Sequence, residues 1–174
     1  MDVERAINSQ RVVRRFSDRP IADEDLAAIV NAARRTGSSK NTQRWSFIVI
    51  RDRGRLEQLS TVGDYAGHLA GAALGIAMLT PDPELSGPYS IMWDLGRAAQ
   101  NMTLVAWARG IGSVPATVYQ QERCREILAY PDDQHCEYIL SFGHPADESD
   151  LSRPLRAGGR RPLEEMLHRE TWGG

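Results

Sequence analysis

The chain of 174 residues contains only two cysteines, Cys124 and Cys136. They form no CxxC pair and lack metal-ligand spacing, so neither a disulfide scaffold nor a cysteine-zinc site organises the fold, and both are expected to be reduced thiols of a cytoplasmic protein. Long apolar runs are missing too: nothing approaches the ~20 residues of a membrane span. The polar start Met1-Asp2-Val3-Glu4-Arg5 has no signal-peptide core. Charge of one sign is scarce, with 21 Lys and Arg against 23 Asp and Glu and a net charge of -2. That balance gives no electrostatic reason to expect nucleic acid or an anionic membrane as partner. There is no internal repeat and no GxGxxG, P-loop, HExxH or GxSxG, which removes the generic signatures of dinucleotide, nucleotide, zinc-protease and serine-hydrolase sites. The four histidines, His68, His135, His144 and His168, are scattered and read as structural or exposed. His135-Cys136-Glu137 is not read as a metal site, because adjacent residues rarely converge on one ion and no fourth ligand is evident.

What is present fits one domain, 1–174, able to bury roughly 70% of its unfolded surface. Residues 2–9 read as a short helix. Ala22-Asp23-Glu24-Asp25 opens another, with acidic residues at the positive end of the helix dipole and one apolar face from Leu26, Ile29, Val30 and Ala33. It should stop near Gly37. Phe47-Ile48-Val49-Ile50 predicts a strand buried on both faces, and residues 74–79 a second. A short helix falls at 54–60, a proline-rich loop or lid at 81–90, and the strongest helix at 91–109. A short strand at 111–114, a helix at 121–128 and a strand at 138–142 follow. A polar tail from 146 leads to a short helix at 162–168. Helices and strands intermix without a regular βαβ repeat, which argues for a layered α+β domain.

Three polar segments carry possible chemistry. Arg11, Arg14 and Arg15 can converge on an anion in fork geometry, although composition alone favours a solvated surface. The loop 38–45 holds two serines and two amides that can bond either a ligand or their own backbone. Gly110-Ile111-Gly112-Ser113-Val114-Pro115-Ala116-Thr117 is either a tight helix-to-strand connection or a place where backbone N–H groups meet a cofactor.

Taken in order, these segments resemble the FMN-dependent nitroreductase family. The pattern Arg-Arg-Ser-x-Arg-x-Phe stands here as Gln10-Arg11-Val12-Val13-Arg14-Arg15-Phe16, and the serine-rich loop as Gly37-Ser38-Ser39-Lys40-Asn41-Thr42-Gln43-Arg44-Trp45. Residues 93–102 resemble the central dimer helix, 107–113 its exit, 137–145 the late core strand and 160–165 the C-terminal phosphate-side motif. The resemblance spans nearly the whole chain. It implies an α+β, layered α/β/α domain with a mixed, mainly antiparallel central sheet, assembled as an intertwined homodimer. The tail 146–174 would pack on the partner.

It further implies FMN as cofactor and NADH or NADPH as hydride donor. A small-molecule electron acceptor, such as a nitroaromatic or quinone, would be reduced in a ping-pong reaction through flavin N5. No nucleic acid and no membrane take part. The flavin carries the chemistry, so no catalytic side chain is required. Carried over by position, Arg11, Val12 and Arg14 would line the flavin, with Arg14 toward the pyrimidine edge, where reduction builds negative charge. Ser38, Ser39 and Asn41 would reach in from the partner, and Pro115, Ala116 and Thr117 would line the ring near N5. Arg160 would help hold the phosphate. The departures are Gln10 for arginine, Val12 for serine, Arg44 for proline and Gly158 for lysine. At ~1.5–3 kcal/mol per charge-assisted hydrogen bond, they imply weaker FMN binding, with Arg11 or Arg161 left to compensate. The same resemblance also admits a flavin- or ligand-binding protein with little turnover, or a specialised flavoenzyme.

Overall fold

The structure is a computed structural model that describes residues 1–86, 89–154 and 159–173. Four strands form one sheet in the order β1-β2-β4-β3: β1 Ser46–Ile50, β2 Leu74–Pro81, β3 Gly112–Thr117 and β4 Gln134–Gly143. All three strand pairings are antiparallel. Among the described residues the one parallel pairing is an isolated bridge, Val12 to Ser113, which lies outside the four strands, so the sheet itself is antiparallel throughout rather than mixed.

Alternation along the strands splits the core into two layers. On the front face, Ile76 and Met78 of β2 and Leu140 and Phe142 of β4 pack against α2 (Asp23–Arg34) and α5 (Tyr89–Ala108). On the rear face, Ala77, Leu79, Cys136 and Ile139 pack against Leu56 and Leu59 of α3 (Arg53–Leu59) and Cys124 and Leu128 of α6 (Gln121–Leu128). Each Leu, Ile or Phe fully buried there contributes about 1.5–3 kcal/mol against conformational entropy. This is the expected α/β/α layering, and Cys124 and Cys136 are both free and buried. Among the described residues two short helices complete the set, α1 (Val3–Ser9) and α4 (Pro83–Ser86). No helix among the described residues is long and apolar enough to cross a membrane.

Four further expectations are corrected. β1 is an edge strand with Val49 38% exposed, not a strand buried on both faces; a continuous apolar run does not reveal sheet order. The segment 81–90 is not simply a loop, because Pro83 starts α4 and Tyr89 starts α5, with residues 87 and 88 outside the described set. Proline suits a first helical turn, where its missing N–H costs nothing. Strands β3 and β4 run longer than expected, since their ladder continues to Thr117 and Gln134. The expected helix at 162–168 is a single turn, Leu163–Glu165.

The rear layer also holds a titratable group. His68 lies in the short 3-10 turn Ala66–Gly71, with Nδ1 2.7 Å from Ser141 Oγ in β4. Burial pushes its pKa below the ordinary 6.5, opposed by the Pro115 backbone and aided by the charge of Arg14. Below pH 6.5 the unfolded histidine therefore binds a proton that the folded one refuses, so stability falls as pH falls through that value. His68→Gln keeps a polar partner for Ser141 and should reduce the loss of denaturant-unfolding stability between about pH 7 and pH 5. An unchanged slope would remove His68 as its source, leaving His144, whose pKa burial also lowers.

Candidate functional site

The N-terminal run is placed by two glycines. After α1 the chain extends along the free edge of β3, where Val13 N donates to Ser113 O at 3.2 Å. Further on, Phe16 bridges to Pro145, and Ser17 N donates to His144 O at 2.8 Å. Val13 is buried because Gly112 beneath it has no side chain: a Cβ there would lie 2.5 Å from Val13 Cβ. Phe16 covers Gly143 in the same way, its ring 2.7 Å from where a Cβ would be.

β3 has two sides as well. Val114 and Ala116 turn into the core, with Ala116 in the rear cluster, while Ser113 and Pro115 face the front. The Ser113 carbonyl serves Val13, and the Val118 N–H goes to Glu137 O on the β4 side at 3.0 Å. The backbone groups of residues 113, 115 and 117 therefore point to the free edge. Pro115 thus interrupts no bond to β4, and the Thr117 N–H points away from β4.

Between the run, β3, β4 and α5 lies a cavity of about 460 Å³, within the range of small-ligand sites. Its floor and wall are largely apolar: Met78, Met92, Leu95, Ala99, Pro115 and Leu140. Gln10, Arg11, Val12, Gln100 and Tyr138 rim it, and Arg160 closes one side. Among the described residues it is lined by two arginines and no carboxylate. The Arg11 Nη1 donates to Asn8 O at 3.1 Å and Gln10 O at 2.8 Å, while its Nε is buried without a partner among the described residues.

Of the residues singled out in the sequence, Arg11, Val12, Pro115 and Arg160 meet at this cavity. Arg14 is exposed and lies outside the lining. Ala116 is buried with its side chain on the rear face, and its backbone groups point to β4, so it does not line the cavity. Thr117 is half-buried beyond Pro115. Gly158 lies outside the described residues.

Ser38, Ser39 and Asn41 do not line the cavity of their own chain. Their loop is held against the start of α5: Ser39 N donates to Asp94 Oδ2 at 2.8 Å, Gln43 N to Ser38 Oγ at 2.9 Å, and Arg97 Nη1 to Gly37 O at 3.1 Å. Lys40, Asn41 and Gln43 all have left-handed backbones, with φ of 52°, 55° and 48°. Such conformations persist only where surrounding contacts impose them.

Sequence reasoning missed the α5 side of the cavity. Leu95, Gly96, Ala99, Gln100 and Thr103 line it at helical spacing, a pattern that reads from sequence only as a helix with a small-residue face.

The sequence matches the nitroreductase family over residues 7–78 and 62–144. The chain belongs to the nitroreductase family. It is 37% identical to an Archaeoglobus fulgidus protein provisionally named NADH dehydrogenase/NAD(P)H nitroreductase, over 95% of this chain and 96% of that one. It is 30% identical to the oxygen-insensitive NADPH nitroreductase of Salmonella typhimurium, over 90% of this chain and 74% of that one. In fold it is similar to the FMN-dependent nitroreductase of Clostridium difficile, with a TM-score of 0.82, 24% identity, and 96% and 98% of the two chains covered. This nitroreductase-family chain is an oxidoreductase. Its departures at Gln10 and Val12 sit on the wall of the cavity.

Proposed function

We propose that this chain is an FMN-dependent NAD(P)H oxidoreductase that reduces nitroaromatic, quinone or similar electron-poor acceptors. The observation that carries this reading is the cavity: an apolar floor suited to a flat ring system, two guanidiniums and no carboxylate among its described lining residues. That donor set fits a planar, phosphate-bearing cofactor. Bound FMN would supply the hydride chemistry, in a ping-pong cycle that takes hydride at N5 from NADH or NADPH and passes it to the acceptor.

The chain's own part is to bind and orient. Arg11 and Arg160 take the phosphate, Val12 and Pro115 confine the ligand between run and sheet, and Arg14, outside the lining of one chain, supplies positive charge toward the pyrimidine edge on the strength of the family pattern. Ala116, turned to the rear core and bonded to β4, holds Pro115 and Thr117 in register and offers the ligand no group of its own. The Thr117 N–H, which β4 does not use, is the donor offered to N5. Ser38, Ser39 and Asn41 act from the second copy, since within one chain they lie outside the cavity.

The working unit is therefore a homodimer. Two further observations favour it. Trp93 on α5 is 70% exposed, and Trp172 in the tail is 90% exposed, alongside exposed Leu163, Met166 and Leu167.

Purified protein should be yellow, bleach on adding NADH or NADPH without oxygen, and run as a dimer in light scattering. Colourless protein that takes up no added FMN would sink the reading. Flavin uptake without reduction by either nicotinamide would reduce it to a binding protein.

A further inference from the structure

The charge on the cavity wall is distributed unevenly. Arg160 is exposed, and among the described residues its Nη1 donates only to the neighbouring Gly159 carbonyl, at 3.1 Å. Arg11 is half-buried and fixed by two carbonyls, yet its buried Nε has no partner among the described residues. One of those carbonyls belongs to Gln10, whose side chain is itself held: Gln100 Nε2 on α5 donates to Gln10 Oε1 at 3.1 Å. A chain of contacts thus runs from α5 through the amide pair and the Gln10 main-chain carbonyl to the Arg11 guanidinium. A guanidinium held in this way has little rotamer freedom left to lose when an anion arrives, unlike one on an exposed segment.

We infer that the Gln100–Gln10 amide pair is a positioning relay. It presents Arg11 as the main anion-gripping group of the cavity and thereby sets the preference for phosphorylated over unphosphorylated flavin. This rests on the function proposed above and deepens it. Gln10 contributes no charge; its work is to pin the neighbouring arginine and tie the run to α5. Riboflavin offers the same ring and ribityl chain without the phosphate, so the ratio of the two affinities reads the grip on the anion and little else.

The test uses the full-length apoprotein and flavin fluorescence quenching, titrated separately with FMN and riboflavin. Arg11→Gln should weaken FMN about 10- to 100-fold while riboflavin changes less than about threefold. Gln100→Ala, which leaves Arg11 in place but loosens its support, should lower the FMN-to-riboflavin preference by roughly three- to tenfold. Arg160→Gln should lower it less than Arg11→Gln. Adding Gln10→Arg to Arg11→Gln should recover preference, because a cation returns to the same wall. Equal weakening of both flavins by Arg11→Gln would make Arg11 merely structural and overturn the inference, as would a preference that Gln100→Ala leaves untouched. Wild-type protein that binds neither flavin would instead defeat the proposed function.

Discussion

Purified Gly112→Ala protein will be nearly colourless and less stable than the wild type. The new Cβ would lie 2.5, 2.7 and 2.9 Å from the three side-chain carbons of Val13. Carbon atoms settle at about 3.5–4.0 Å, so one backbone must retreat by roughly 1 Å. Val13 cannot relieve this by rotation, since its Cβ is itself the closest atom and is buried. The run must therefore lift from β3. That stretches the Val13-to-Ser113 hydrogen bond, 3.2 Å in the native chain, and carries Arg11 and Val12 away from the cavity. Overpacking of this kind typically costs about 1–3 kcal/mol, measured as a shift in denaturant midpoint. Because the whole wall moves, FMN and riboflavin should both be lost, unlike the selective loss expected from Arg11→Gln. Gly67→Ala is the control: its Cβ would meet nothing within 4 Å, so stability and colour should stay. A yellow, fully stable Gly112→Ala protein would mean that the run does not depend on this contact.

Contacts of this type explain where the sequence was legible and where it was not. The acidic first turn of α2, the length of α5 and the buried β2 follow from local rules of capping and periodicity, and each falls where those rules put it. The alternation Ser113, Pro115, Thr117 against Val114, Ala116, Val118 was equally readable, and it would have turned the Ala116 side chain to the rear core. Taking Pro115-Ala116-Thr117 as one continuous lining overlooked the two-residue period of a strand. Other features were not readable. That β1 is an edge depends on the order of strands, which no short segment encodes. That Gly112 and Gly143 must be glycine depends on Val13 and Phe16, which are remote in sequence. The family pattern located Arg11, Val12 and Arg160 without any of this geometry, yet it could not show that Gln10 pairs with Gln100, because both residues look like ordinary surface amides.

Asp94→Ala will test how the second half of the site is supplied. Asp94 is a buried carboxylate whose Oδ2 accepts the Ser39 N–H at 2.8 Å. Its loss leaves that donor without its acceptor, which costs on the order of 1–3 kcal/mol. It also frees a loop carrying Lys40, Asn41 and Gln43 in left-handed conformations, which strain favours relaxing. The variant on its own should therefore bind FMN more weakly even though its cavity wall is intact. If the loop serves the partner's cavity, the defect will complement in trans. Arg11→Gln damages the run and Asp94→Ala damages the loop. In a mixed dimer, one site combines both lesions while the other receives an intact run from the Asp94→Ala subunit and an intact loop from the Arg11→Gln subunit. Random pairing of equal amounts makes half the dimers mixed, so roughly one quarter of all sites should regain full affinity. Fluorescence titration of co-expressed subunits, each with a different affinity tag, would reveal that tight fraction, which neither homodimer shows. If the loop served its own chain, every site in the mixture would keep one lesion and no tight fraction would appear. The same chain geometry would then have to bring Ser38, Ser39 and Asn41 to a cavity they do not line, which requires a movement of the loop across the start of α5 and the loss of the Ser39–Asp94 bond that now holds it there.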